Sequence, residues 1–233
     1  MIGENWFEIG EHAQVDENVT LGYRFDGVRQ PLRIGAYAVI RSGAVIYADT
    51  VIGEHFSCGH MALIRGGITI GDRVVVHHKV TLEGNLVIGS GVKIMAHVYV
   101  PSRTRIGDLV FIGPNVTILN DKRPQRVLDG GLSGVTIEDG ATVGGGVTLC
   151  PGVTIGSKAF VAAGAVVTKD VLSGMLAVGT PARFKPLSEE LAGGNLPELM
   201  LPQTDLFGAR EDASWREDES RASSPATTCQ AKG

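Results

Sequence analysis

Residues 34–88, IGAYAVIRSGAVIYADTVIGEHFSCGHMALIRGGITIGDRVVVHHKVTLEGNLVI, place Ile, Leu, Val or Cys at every sixth position, from Ile34 and Ile40 through Cys58 to Leu82 and Ile88. A period of six belongs neither to a helix, which repeats at 3.6, nor to a long alternating strand. It suits a short strand ended by a sharp corner, with three such units closing a coil every 18 residues. A second small or apolar residue sits two positions before the beat, as at Ala38, Ala44, Thr50, Ala62 and Val74, and points the same way along a strand. The pattern therefore predicts an all-β triangular prism whose coils stack at about 4.8 Å as three parallel sheets around an apolar centre.

The beat continues to Ile118 and resumes at Ile137, Val143, Leu149, Ile155, Val161 and Val167. It also runs at Ile9, Val15 and Leu21, one residue out of phase with the beat that starts at Ile34. The long break lies within NVTILNDKRPQRVLDGGLSGVTIEDG, residues 115–140, so a loop over 119–134 is expected to be extruded from a corner. A corner can release a loop without disturbing the stacked core, and such loops carry function more often than packing.

Counting by 18 sorts the corners into three columns. The column after Ile34, Ile52, Ile70, Ile88 and Ile106 is rich in Gly, Asp and Ser and reads as structural. The column after Ile40, Cys58, Val76, Ile94 and Ile112 sets His60 and His78 one coil apart, with His77, Lys79, His97 and Asn115 beside them. The third column, after Ile46, Ile64, Leu82, Val100 and Ile118, gathers Arg65, Glu83, Asn85, Arg103, Asn120 and Asp121. Chemistry is expected between the second and third columns.

The chain has 233 residues, 43% of them apolar, and a net charge of -4. Residues 187–233 hold nine acidic and four basic side chains, which leaves residues 1–186 nearly neutral. A neutral body lacks the cationic surface that nucleic-acid binding requires. No apolar run reaches the roughly 18 residues of a membrane span, and the start MIGENWFEIG lacks signal-peptide character, so a cytoplasmic address is expected. Cys58, Cys150 and Cys229 are far apart and show no metal-ligand spacing, so no metal is expected. The chain divides into a coil domain, 1–186, and a tail, 187–233. In the tail LSEELA is expected to form a short helix closing the last rung, LPELMLPQTDLF to pack on a neighbour, and the charged end to be disordered.

The hexapeptides, with the ending GAVVTKDVLSGMLAVGTPARFKP, resemble the left-handed parallel β-helix acyltransferases of the hexapeptide-repeat superfamily. VIRSGAVIYADTVIGEHFSCGHMALIR, MAHVYVPS and FIGPNVTILNDKRP are similar to bacterial N-acetyltransferases of nucleotide-linked amino sugars, which act in surface-glycan or glycosylated natural-product biosynthesis. The resemblance implies a left-handed coil, a homotrimer with active sites between prisms, and acetyl-CoA as acyl donor. It implies donor contacts from the backbone of Gly145, Ala163 and Gly164, with Lys169 and Arg183 facing the nucleotide phosphates.

Related O-acetyltransferases carry a general-base histidine in the loop after an NVTI-like stretch. Here Leu119, Asn120, Asp121 and Lys122 occupy that place, and the loop has no histidine. An unprotonated amine attacks a thioester without a strong base, whereas a hydroxyl needs one. An amine acceptor is therefore expected, with His97, Asn120 and Asp121 as catalytic residues and His60, Arg65, Glu83 and Asn85 binding substrate. Three alternatives stand beside it: an O-acetyltransferase using His97 as base, a γ-type carbonic anhydrase holding zinc with His55, His60 and His97, and a noncatalytic scaffold.

Overall fold

A computed structural model describes residues 6–127 and 131–200. Its short strands stack into parallel sheets of eight, ten and eight strands, wound as a left-handed β-helix of about eight turns. The sixth-position beat is what aligns them: Ile34 pairs with Ile52, Ile52 with Ile70, and Ile70 with Ile88 in the first sheet. Ile40, Cys58, Val76 and Ile94 stack in the second sheet, and Ile46, Ile64, Leu82 and Val100 in the third. All of these side chains are buried, as are Ala38, Ala44, Thr50, Ala62 and Val74. Two inward positions per strand thus build one continuous apolar prism.

The first edge, between the first and second sheets, explains its Gly, Asp and Ser. A Cβ on Gly53 would lie 2.8 Å from the Gly71 carbonyl carbon of the next coil, so only glycine allows this approach. Beside it a ladder of side chains receives backbone donors. Glu54 N–H donates to Asp72 Oδ1 (2.9 Å), Asp72 N–H to Ser90 Oγ (3.1 Å) and Ser90 N–H to Asp108 Oδ1 (2.7 Å). Asp108 N–H continues it to Asp139 Oδ1 at 2.8 Å. These bonds satisfy corner amides that no strand reaches.

Two excursions interrupt the coil, and both leave from the third edge, between the third and first sheets. Ile106 pairs with Ile137, an offset of 31 residues instead of 18, which accounts for the expected loop. Phe7 pairs with Leu32, an offset of 25, so the one-residue phase shift before Ile34 is a second loop of seven inserted residues. Seven exceeds six by one, which disguises an insertion as a slip.

The top of the coil departs from expectation. Met175–Val178 extend the second sheet and pair antiparallel with Arg183–Pro186, and this hairpin finishes that sheet. LSEELA forms turns, and the short helix is Pro197–Met200. The segment 187–200 runs back along the outer face of the second sheet. Asn195 Nδ2 donates to the carbonyls of Leu109 (2.8 Å) and Ala141 (3.0 Å), and its Oδ1 accepts from Thr142 Oγ1 (2.7 Å). Further along, Lys93 Nζ donates to the Leu199 carbonyl, and Met200 is buried. The segment is therefore a strap on a sheet face, because its polar groups find coil carbonyls there. The end of LPELMLPQTDLF, the acidic tail and Cys229 lie outside the described residues. Among the described residues no helix is long and apolar enough to cross a membrane.

Candidate active site

The second edge collects four of the six histidines, His60, His77, His78 and His97. At the middle corner position Ser42, His60, His78, Ala96, Pro114, Gly145 and Ala163 succeed one another up the coil. Ser42 Oγ and His60 Nδ1 are 2.9 Å apart, and the His78 ring meets His97 edge-on at 5.5 Å. His77 also packs edge-on to His78, at 5.8 Å. Burial first, and then His78 and Lys93, hold the His77 pKa below its ordinary value, so His77 stays neutral where a free imidazole begins to protonate. A cavity of about 520 Å³ lies along this edge, lined by Asn18, Ser42, His60, Met61, His78 and Lys79.

The next corner position is left-handed throughout, and its side chains change along the edge. Met61, Lys79, His97 and Asn115 adopt φ of 57°, 56°, 62° and 58°, so the coil accepts full side chains there. Above them the position is Gly146 and then Gly164, at φ of 67° and 71°. A Cβ on either would meet nothing within 4 Å. The fold does not require glycine at these two points. They leave a bare strip of exposed backbone that starts directly above Asn115, two coils above His97, and is flanked by Gly145 and Ala163.

The remaining expected residues divide between the edges. Arg183 begins the antiparallel return at the top of the second sheet, beside the same strip. Lys169 comes after Val167 of the third sheet and so stands on the third edge, away from Gly145, Ala163 and Gly164. Asn120 and Asp121 are also on the third edge, at the root of the loop. Asn120 Nδ2 donates to the Ser102 carbonyl (3.1 Å) and to Ser102 Oγ (3.2 Å), while its own carbonyl accepts Ser133 N–H at 2.7 Å and closes the loop neck. Asp121 Oδ1 accepts Arg123 N–H at 2.8 Å. Within one chain, then, His97 and the pair Asn120 and Asp121 stand on opposite edges of the third sheet.

Arg65, Glu83 and Asn85 converge. Arg65 donates to Glu83 Oε2 at 2.8 Å, and with Asn85 they line a cavity of about 350 Å³ on the third edge. Sequence reasoning did not single out its other walls: Phe25, from the seven-residue excursion, and Tyr47 and Asp49 from the corner below Arg65. Tyr47 is identifiable by counting 18 back from Arg65, whereas Phe25 sits in an excursion where the count fails. Tyr99 was missed too. It lies half exposed on the outer face of the third sheet, between the two edges, and burial followed by the Glu83 charge raises its phenol pKa while Arg65 partly opposes them. His55 sits on the first edge, stacked on Tyr37 at 4.8 Å, so His55, His60 and His97 occupy two different edges. Among the described residues no three His, Cys, Asp or Glu side chains are grouped to hold a metal.

Residues 85–120 and 134–169 match the family "Bacterial transferase hexapeptide (six repeats)", the two segments meeting at the extruded loop. Over these two segments the coil carries the repeats of the bacterial hexapeptide transferases. A stretch of 84 residues is 43% identical to the acetyltransferase-named protein C18B11.09c of Schizosaccharomyces pombe, covering 34% of this chain and 40% of that one. The chain thus matches less than half of that relative's length. Among solved hexapeptide structures, the acetyltransferase product of the BC4754 gene of Bacillus cereus aligns over 76% of this chain and 88% of its own, with 25% identity and a TM-score of 0.51. An Arabidopsis UDP-N-acetylglucosamine acyltransferase aligns over 81% and 73%, with 21% identity and a TM-score of 0.59, a likeness of fold.

Proposed function

We propose that the protein is an acetyl-CoA-dependent N-acetyltransferase whose acceptor is the amino group of a nucleotide-linked sugar. One observation carries the reading: the column that bears Met61, Lys79, His97 and Asn115 becomes bare backbone at Gly146 and Gly164, with open space where side chains would stand. An extended thioester donor can lie against such a strip and hydrogen-bond its backbone, with Arg183 at the top as a phosphate partner. At about 4.8 Å per coil, the strip ends roughly 10 Å above His97, so a donor laid along it points its acyl end at the histidines.

The unprotonated sugar amine attacks the thioester carbon, forming the C–N bond as the C–S bond breaks, and gives the thiolate of CoA and one proton, which together make the free thiol. A fixed imidazole at His97 and a carboxylate at Asp121 orient the amine and accept that proton. Because these residues lie on opposite edges of a single prism, the reading includes a homotrimer, in which the third edge of one copy faces the second edge of another. The similarity of the Bacillus cereus acetyltransferase supports the acyl-transfer class.

The test is turnover of acetyl-CoA with a panel of nucleotide-linked amino sugars and their hydroxyl counterparts, read by thiol release and product mass. Acetylation confined to amines, with kcat lowered at least tenfold in His97→Ala or Asp121→Asn and CoA binding retained, is the expected result. Transfer to hydroxyls alone makes His97 the base of an O-acetyltransferase and overturns the amine reading. No transfer to any acceptor overturns the function.

A further inference from the structure

The third edge carries a groove built from two cavities that meet at one side chain. The first, about 350 Å³, is hollowed by Gly66, Gly67 and Gly84, which remove side chains from the middle of the corner. Its lower wall is aromatic. The Tyr47 ring lies 5.8 Å from Phe25, and the Arg65 guanidinium lies 5.9 Å from the Tyr47 centroid. Phe25 fills the space that a side chain on Gly66 would occupy, its Cε1 being 2.5 Å from that Cβ position. Asp49 and Glu83 supply carboxylates to the same cavity.

The second cavity, about 370 Å³, begins at Asn85, which lines both, and continues past Val87 to Arg103, Thr104 and Arg105. Among the described residues no acidic side chain lines it. The groove is thus aromatic and carboxylate-bearing at one end and doubly cationic at the other. Asp49 and Arg103 are three coils apart, roughly 14 Å at about 4.8 Å per coil. That separation is comparable with the reach of a nucleoside diphosphate from its base to its terminal phosphate.

We infer that this groove binds the nucleoside diphosphate half of the acceptor, with the base against Tyr47 and Phe25 and the phosphates at Arg103 and Arg105. Aromatic walls hold planar rings of any identity, and the Asp49 and Glu83 carboxylates accept ring or ribose donors and supply selectivity. The guanidinium pair matches phosphate oxygens in charge and shape. The groove also leads to the proposed point of transfer, because Ser102, which lines the first cavity, is the residue that Asn120 grips beside Asp121. As an assignment of acceptor subsites the inference rests on the function proposed above, but its test requires no transfer.

Calorimetric titration of the full-length protein with UDP, GDP and dTDP, without acetyl-CoA, measures binding directly. Tyr47→Ala and Arg105→Gln are each expected to weaken the tightest of them at least tenfold, while acetyl-CoA affinity and the melting temperature stay within error of wild type. Arg105 is chosen over Arg103, whose side chain also holds the loop carbonyl of Leu132 at 2.9 Å. Three results overturn the inference: none of the diphosphates binds, neither variant changes the affinity, or pyrophosphate alone binds as tightly as they do. If the diphosphates bind as described and no acetyl group is ever transferred, the groove stands and the acyltransferase reading falls.

Discussion

Placing an asparagine at Gly164 separates the needs of the fold from the needs of the donor. The residue sits at φ 71° with no heavy atom within 4 Å of a would-be Cβ, so the new side chain clashes with nothing. The backbone cost is small as well. A left-handed conformation costs an ordinary residue about 1–2 kcal/mol and asparagine less, and Asn115 already occupies the equivalent corner at φ 58°. At about 2–4 °C per kcal/mol for a chain of this size, the melting temperature should fall by no more than about 4 °C. Gly174→Asn is the matched control, since Gly174 has φ 67° and no heavy atom within 4 Å of a would-be Cβ but lies on the first edge, after the bridge of Val171 to Ile155. In the proposed site the asparagine stands where the extended donor lies. Losing one backbone hydrogen bond with its packing removes about 1.4–3 kcal/mol, a tenfold to hundredfold rise in KM and Kd for acetyl-CoA. Steady-state kinetics and calorimetry on both variants measure this. A Gly164→Asn protein whose donor affinity stays within about twofold of wild type refutes the bare-strip argument, because no route along that edge would avoid the new side chain.

Two further outcomes concern stability. Burial raises the Cys58 thiol from 9.0 to about 12. The folded protein therefore keeps a proton that the unfolded chain loses above its ordinary pKa. Stability should fall as pH rises from about 9 toward 12, by up to about 1.4 kcal/mol per pH unit. Cys58→Val, which restores the apolar residue of the neighbouring coils, removes this component, and urea melts of both proteins at pH 8 and pH 10.5 test it; a stability difference independent of pH contradicts it. Asn195→Ala deletes the three hydrogen bonds of the strap, each worth about 1 kcal/mol, so hydrogen exchange in residues 187–200 should accelerate while the coil keeps its melting temperature. A cooperative loss of the whole coil would show that the strap is part of its core.

The coil was legible because its register and its burial are the same fact. An inward residue every sixth position stacks Ile34 on Ile52 and Ile70 whatever the corners contain. For that reason counting by 18 also located the edges, and it brought Arg65, Glu83 and Asn85 together before any geometry was known. The count fails wherever the chain leaves the coil. Phe25 reaches the third-edge cavity from an excursion whose length looks like a slip of one residue. LSEELA has helical composition, but the strap's binding is set by Asn195, whose amide matches coil carbonyls brought together by distant parts of the chain. Lys169 shows a different failure. Its proximity in sequence to Ala163 and Gly164 is a full side of the triangle in space, because six residues carry the chain from one edge to the next.

That last point bears on how such a coil acquires chemistry. Inward residues fix the register, so a corner can exchange His97 for glycine, or Asn120 for lysine, without altering the stack that holds it. Residues 18 apart become neighbours at about 4.8 Å, whereas residues six apart are placed on separate edges. A ligand longer than one coil is therefore read along an edge, by one corner position repeated through successive coils. The second edge shows such a reading, from side chains at His97 and Asn115 to bare backbone at Gly146 and Gly164. The third edge shows another, from the carboxylate of Asp49 through Asn85 to the guanidinium of Arg103. Two ligands held on two edges of one prism are separated by a sheet face, and they meet only where the edges of different prisms come together. In the proposed trimer, changing the residues of one edge should alter affinity for one ligand and leave the other unaffected, whereas weakening the contact between copies should lower turnover while each ligand still binds.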